Sequence, residues 1–274
     1  MSQPITLGYS PCPNDCFMFD AMVHHKIDTE GLTFEVHLED VESLNRRAVE
    51  RKDEMFDFSK LSYHAYLYAK DQLILLQSGS ALGNHCGPLL ITPHQQLNEE
   101  TFSAKNSVVI PGKYTTAHML FNYRFPNHPS KTEKVFHEIE DTLLHQQFDA
   151  GVIIHENRFT YQQKGLYKII DLGDYWESST GLPIPLGGIF ANKCLDAELT
   201  HKFERVLKRS IQYAFDHPDA SSDYVRCHAQ EMDAAVMKQH IELYVNSYSL
   251  DLGENGNRAI EMLEKNFKSA QATT

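Results

Sequence analysis

The chain has 274 residues, of which 42% are hydrophobic and 23% charged, and a formal net charge of −12. Such a chain can bury a sizeable core and is not a disordered one. Its acidic balance argues against nucleic acid and anionic membranes as partners, so an anionic ligand would need a local source of positive potential. No apolar run of about 18 residues occurs, and the first residues, MSQPITLGYS, lack the basic and apolar regions of a signal peptide. These features predict a cytoplasmic protein. The five cysteines, Cys12, Cys16, Cys86, Cys194 and Cys227, are an odd number without paired spacing, which fits reduced thiols.

Short apolar runs alternate with helix-like segments through the first 190 or so residues, the α/β signature. The pattern predicts strands over 5–10, 32–39, 55–60, 73–79, 87–93, 107–112, 134–139, 150–155, 167–173 and 185–193. From Asp196 onward it becomes helical, and the stretch 198–218 carries a long helix that stops before Pro218. The runs GPLLITP and PLGGIFANK look like a double crossover, because the sequence between them contains its own β/α set. The expected organisation is a larger discontinuous lobe of 1–90 and 194–274, a smaller inserted lobe of 94–186, and hinge crossover strands at 87–93 and 185–193. A ligand would sit in the cleft between the lobes.

In open α/β sheets ligands bind beyond the carboxyl ends of strands. Four strand-to-helix junctions are therefore candidate parts of a site. In SPCPNDCFMF, Ser10 ends a strand, Pro11 and Pro13 stiffen the turn, and Asn14 or Asp15 can cap the next helix; an ordinary capped turn explains the stretch equally well. In DFSKLSYHAY, Ser59, Lys60 and Ser62 suit an oxyanion, or are a helix cap beside a solvated lysine. In PGKYTTAHML, Thr115, Thr116 and Ala117 stand where a helix begins, and free N–H groups and hydroxyls there can hold a carboxylate. In GVIIHENRFTY, an apolar strand delivers His155, Glu156 and Arg158. An imidazole there can move protons near neutral pH, while Arg158 can pair with a neighbouring acid. The HEN triplet lacks the second histidine of a zinc-protease helix, Cys12 and Cys16 lack further cysteines, and no glycine-rich nucleotide fingerprint occurs, so no metal or nucleotide site is expected.

Taken in order, LGYSPCPNDCFMF, LEDVESLNRRA, SKLSYHAY, SGSALG, PGKYTTA, GVIIHENRFTY, DLGDYWESSTGLPIPLGGI and YVNSYSLDLGENG resemble the MqnA/MqnD family of the futalosine route to menaquinone, in its 1,4-dihydroxy-6-naphthoate synthase branch. The resemblance runs from about Leu7 to Gly256. It implies an α/β, two-lobed fold like that of type II periplasmic binding proteins. The implied activity is that of a cofactor-independent carbon–carbon lyase, which converts cyclic dehypoxanthinyl futalosine into 1,4-dihydroxy-6-naphthoate and a dihydroxyacetone fragment. Carried over by motif, His155 is the proton acceptor, and Lys60, Leu61, Ser62, Thr116 and Ala117 contact the substrate. Ser10, Asn14, Thr115 and Arg158 join them as candidates by their place at the junctions. Cys16 departs from the family's SPCPNDTF, which has threonine there. The aromatic residues Phe17, Phe19, Tyr63, Tyr66 and Phe159 either pack the substrate ring or belong to the core. The partner expected is a small anionic molecule, with a homodimer left open. A non-catalytic solute-binding protein for a small organic anion, or the related chorismate dehydratase, are the alternatives.

Overall fold

A computed structural model describes residues 3–129, 131–229 and 233–272. In chain order its strands are β1 (Ile5–Tyr9), β2 (Phe34–Leu38), β3 (Phe58–Ser62), β4 (Leu73–Leu75), β5 (Ala81–Gly83), β6 (Leu89–Thr92), β7 (Val108–Ile110), β8 (Lys131–Glu133), β9 (Ala150–Ile153), β10 (Tyr167–Asp171) and β11 (Ile184–Asn192). The α-helices are α1 (Pro13–Val23), α2 (Val41–Glu50), α3 (Tyr63–Ala69), α4 (Thr116–Arg124), α5 (Ile139–Leu144), α6 (Asn157–Thr160), α7 (Leu172–Thr180), α8 (Ala197–Asp216), α9 (Ser222–His228), α10 (Ala234–Tyr244), α11 (Ser247–Leu250) and α12 (Gly253–Ala272).

The strands divide into two sheets, one per lobe. In the first the order is β2-β1-β3-β11-β4, with β5 also paired to β11; in the second it is β10-β6-β9-β7-β8. β1 is parallel to β2 and β3, and β7 is parallel to β8 and β9. Two strands run against their neighbours: β11 is antiparallel to β3, β4 and β5, and β6 is antiparallel to β9 and β10. Each is the first strand after the chain passes from one sheet to the other, at 84–88 and at 181–183. The antiparallel sense brings the start of β11 beside the carboxyl end of β3, and the start of β6 beside that of β9.

Burial follows from the sequence pattern. Every residue of β3 is buried, as a central strand covered on both faces requires. α8 buries Thr200, Phe203, Val206, Leu207, Ser210, Ile211 and Ala214, a stripe at helical spacing, and Asp196 caps its start by accepting the Glu198 N–H at 2.6 Å. α1 is buried nearly all round between α8, α9 and α10. Its backbone is tied to α8 by Ser210, whose Oγ donates to Met18 O at 2.6 Å and accepts the Met22 N–H at 3.2 Å.

One expected strand is absent among the described residues. Residues 134–139 form a 3-10 turn, Phe136–Glu138, leading into α5, because Phe136 and Ile139 are buried at a spacing of three while Val135 is 40% exposed. That is helical and not alternating burial. The expected strand at 55–60 begins only at Phe58, since Asp57 just before it is held by the N–H and hydroxyl of Thr6. Two further strands do not stand out as apolar runs, β5 because it is Ala-Leu-Gly and β8 because it is Lys-Thr-Glu.

The passage between sheets depends on close backbone packing. A Cβ on Gly87 would stand 2.3 Å from Gly173 Cα and 2.6 Å from Gly173 N. Both neighbours are backbone and cannot step aside. Gly87→Ala is therefore expected to destabilise the fold by about 1–3 kcal/mol, the usual cost of overpacking, read as a lower urea midpoint at an unchanged slope.

Candidate active site

The carboxyl ends of β1, β3, β7 and β9 and the starts of β6 and β11 converge on one cleft of about 650 Å3, open mouth included. That is the size of a small-molecule site. Ser10, Asn14, Asp15, Lys60, Leu61 and Ser62 line it from the first lobe, and Thr115, Thr116, Ala117, Ile154 and His155 from the second. Leu186, Gly187 and Tyr244 complete the first-lobe side. Three of the four junctions meet it through several residues each. At the fourth, Ile154 and His155 line the cleft while Arg158 turns away, with its guanidinium on Gly87 O and 3.3 Å from Asp171 Oδ2.

On the first-lobe wall the polar side chains form one connected set. Pro13 opens α1, as a residue without an N–H at the first helical position does, and Cys12 holds the N-cap position without a side-chain cap. Neither Asn14 nor Asp15 is that cap. Asp15 instead reaches back to accept from Ser10 Oγ at 2.7 Å and Ser10 N at 3.3 Å, and it takes the Asn14 amide at 2.9 Å. Lys60 is 5% exposed, and its ammonium lies 3.2 Å from Asp15 Oδ1 and donates to Gly79 O at 3.0 Å. Lys60 is thus a buried, neutralised cation beside the cleft and not a solvated one.

On the second-lobe wall, residue 155 comes two positions after β9 with φ at +58°. A side-chain-bearing residue keeps this left-handed conformation only when its surroundings impose it. His155 Nδ1 lies 3.7 Å from Cys12 Sγ, and its Nε2 is buried with no hydrogen-bond partner. Burial pushes the imidazole down to about 4; Asp15 opposes the shift and Lys60 adds to it. The thiol of Cys12 is pushed well above its ordinary value, first by burial and then by Glu156 and Asp15. A neutral thiol beside a neutral imidazole is not a nucleophilic cysteine pair. The arrangement offers instead an uncharged imidazole nitrogen able to accept a proton.

A second imidazole, missed in the sequence, comes from α10. His240 is wholly buried, its Nε2 2.8 Å from Asn14 Oδ1 and its Nδ1 3.6 Å from Glu156 Oε2. The one available signal was periodicity, since Met237, His240 and Tyr244 share the buried stripe of α10. Donor atoms of His155, Glu156 and His240 come within 4.8 Å of one another. His240 Nε2 is committed to Asn14 and its ring stacks against that of His155, so we assign no metal to the three. Of the aromatic residues expected either at the ligand or in the core, Phe17, Phe19, Tyr63 and Tyr66 are buried in the core, and neither they nor Phe159 are among the lining residues. Tyr244 is the aromatic side chain that lines the cleft.

The lobes touch across the cleft through polar groups. Thr115 caps α4 by accepting the His118 N–H at 3.2 Å. The Thr116 hydroxyl donates to Leu186 O at 2.7 Å and accepts the His64 N–H at 3.3 Å, both in the first lobe. His64 Nδ1 meets Thr115 O at 3.1 Å. Ser62 Oγ accepts from Asn45 Nδ2 at 3.0 Å. Glu42, 8% exposed on α2, accepts the Tyr114 N–H at 3.1–3.2 Å and packs on Gly112, whose φ of +147° and closeness to the carboxyl leave no room for a Cβ. Burial pushes the Glu42 carboxyl up to about 7, against the opposing hydrogen bonds from Tyr114 and Asn45.

A carboxyl raised in the folded state contributes stability below its ordinary value of 4.5, and that contribution is lost as pH rises through about 7. Glu42→Gln keeps an acceptor for Tyr114 but does not titrate. The wild-type advantage over Glu42→Gln should therefore fall by about 1–2 kcal/mol between about pH 5.5 and about pH 8.5, measured by urea unfolding of both proteins at each pH.

A sequence model described as Menaquinone biosynthesis matches residues 5–268. The chain is 40% identical over 272 residues to the 1,4-dihydroxy-6-naphtoate synthase of Thermus thermophilus, covering 98% of this chain and 95% of that protein. It is also 40% identical over 264 residues to the protein of that name from Streptomyces coelicolor, covering 94% and 91%. Among solved structures, an Archaeoglobus fulgidus protein superposes with a TM-score of 0.89 at 30% identity, covering 98% of each chain. A Candida albicans protein described as having the generic periplasmic binding protein fold superposes with a TM-score of 0.69 at 13% identity, covering 99% and 91%, a likeness of fold alone. Matched along nearly its whole length, the chain belongs to the menaquinone-biosynthesis family and is built on the two-lobed periplasmic-binding-protein fold.

Proposed function

We propose that this protein is an enzyme of menaquinone biosynthesis, a carbon–carbon lyase that converts cyclic dehypoxanthinyl futalosine into 1,4-dihydroxy-6-naphthoate and dihydroxyacetone, with His155 as general base. The observation that carries the reading is His155 itself: an imidazole held neutral at the cleft wall with an unpartnered Nε2, in a chain similar end to end to two 1,4-dihydroxy-6-naphtoate synthases. A proton on Nδ1, directed at Cys12 Sγ, leaves the Nε2 lone pair to take a hydroxyl or C–H proton from the substrate. Carbon–carbon cleavage of the retro-aldol type follows, and enolisation to the aromatic diol supplies the driving force.

Positioned acid–base catalysis contributes about 10²–10⁴-fold, so orientation and groups around the developing oxyanion must supply the rest. For these we propose Lys60, Leu61, Ser62, Ser10 and Asn14 on the first lobe and Thr115, Thr116 and Ala117 on the second. Thr116 acts through its backbone N–H at the start of α4, because its hydroxyl already bridges the lobes. Arg158, bound to Gly87 and Asp171, is reassigned from substrate contact to support of the connection between the sheets. We further propose that the lobe built on the first sheet and the lobe built on the second open and close on ligand about that connection and its partner at 181–183, and not about the crossover strands expected at 87–93 and 185–193, because β6 and β11 are each paired within a single sheet.

Purified protein incubated with cyclic dehypoxanthinyl futalosine should release 1,4-dihydroxy-6-naphthoate by mass; reaction with chorismate instead would assign the dehydratase chemistry, and binding without turnover a solute-binding role. His155→Asn should bind product with nearly wild-type affinity and lose about 10²-fold or more in turnover. Normal binding with near wild-type turnover would remove His155 as the base. A base that must be neutral loses activity as it protonates. Wild-type kcat/KM should accordingly hold through pH 6.5 and fall only as pH approaches about 4, which a pH–rate profile of the free enzyme reads directly.

A further inference from the structure

His240 takes no direct part in the reaction proposed above, and its surroundings differ from those of an ordinary core histidine. It projects from α10 of the first lobe toward the second-lobe segment that carries His155 and Glu156. Its ring lies nearly parallel to that of His155, at 18° with centroids 6.0 Å apart. Asn14 donates its amide nitrogen to Asp15 Oδ1, so the Asn14 oxygen is the atom turned to His240, and an acceptor there requires a proton on Nε2. Asp15 is in turn fixed by Lys60 and Ser10. A neutral His240 is therefore locked in one tautomer, with its Nδ1 lone pair toward Glu156 Oε2.

The side chains close to the His155 ring come from both lobes. Phe136 meets it edge-on at 4.8 Å from within the second lobe, while Cys12 and His240 approach it from the first. We propose that His240 is a positioning residue for the base: His155 is carried by the second lobe, and the tautomer-locked ring of His240 backs it from the first, so that the imidazole is held in place and kept dry only when the lobes are together. The proposal rests on the reading of His155 as the base. The polar and titratable groups that face His240 are Asn14 from α1, Glu156 and His155 from the second lobe, and Tyr244 one turn along α10, with Asp15 and Lys60 behind Asn14. Burial lowers both imidazoles, His240 well below its ordinary value, as expected for two rings that shield one another from water.

The test uses full-length protein with isotopically labelled histidine rings, His155 being assigned through His155→Asn, and compares wild type with His240→Gln. Glutamine can keep a donor toward Asn14 but removes the ring that backs His155. The expected result is a rise of the His155 titration midpoint by about one unit or more toward the ordinary value of about 6.5. Turnover should fall about tenfold or more, with product affinity within about threefold. A merely structural histidine would not move the His155 midpoint, so an unchanged midpoint with turnover within about twofold overturns the proposal. If wild-type protein does not turn over the substrate, the functional reading fails by itself, and the titration, which needs no substrate, still decides the positioning role. Should His240→Gln not fold, His240→Asn removes the ring while keeping a polar side chain of smaller size; the same midpoint shift then supports the positioning role, and its absence overturns it.

Discussion

The buried pair of Asp15 and Lys60 is the constraint on which the cleft depends. Two charges that are each almost wholly excluded from water persist only with close pairing and further hydrogen bonds. Here Asp15 takes Ser10 and Asn14, and Lys60 takes the carbonyl of Gly79. The pair joins the start of α1 to the middle of β3 and ties both to the 79–81 segment. It also fixes which atom of Asn14 faces α10. A stabilising hydrophobic pair of similar volume could fill the same space, but it would leave Ser10, Asn14 and the tautomer of His240 without a reference. The ion pair therefore contributes geometry more than stability.

Polarity in the cleft is divided between the lobes. The first lobe supplies the ion pair and the hydroxyls of Ser10 and Ser62, while the second supplies the start of α4 and the imidazole of His155. Several hydroxyls that look available in the sequence are already committed. Thr116 bridges to Leu186 and His64, and Ser62 accepts from Asn45. The cleft is thus preorganised by groups that bind one another, and among the described residues the atoms left unpartnered, His155 Nε2 foremost, are few.

Much of this was legible in the sequence because the site is built where strands end, and those ends carry Pro, Gly, Ser and Thr at helix starts. The stretches around Ser10, Lys60, Thr115 and His155 all lie at such ends, and the apolar runs that feed them are strands for the usual reason of burial on both faces. Legibility failed where packing partners distant in sequence decide the outcome. Whether 134–139 is strand or turn depends on which of Val135 and Phe136 meets the core, and apolar content does not reveal that. His240 sits in MKQHIELY, where a histidine on a buried stripe reads as packing; its meaning appears only when α10 meets Asn14 and Glu156. Arg158 likewise found a carbonyl and a carboxylate contributed by the connection between the sheets and by β10.

The placement of β6 and β11 sets the order in which the lobes can be completed during synthesis. The second sheet draws only on residues 89–171, one continuous stretch, and every one of its ladders can form as soon as that stretch is available. The first sheet begins with β1 but lacks the strand that joins β3 to β4 and β5 until 184–192 has been made, and its buried α1 must wait for α8 and α10. Pairings of such long sequence separation are slow to form. The half of the molecule translated first is therefore the half finished last, and the apolar edge of β3 stays uncovered while the ribosome builds the other lobe.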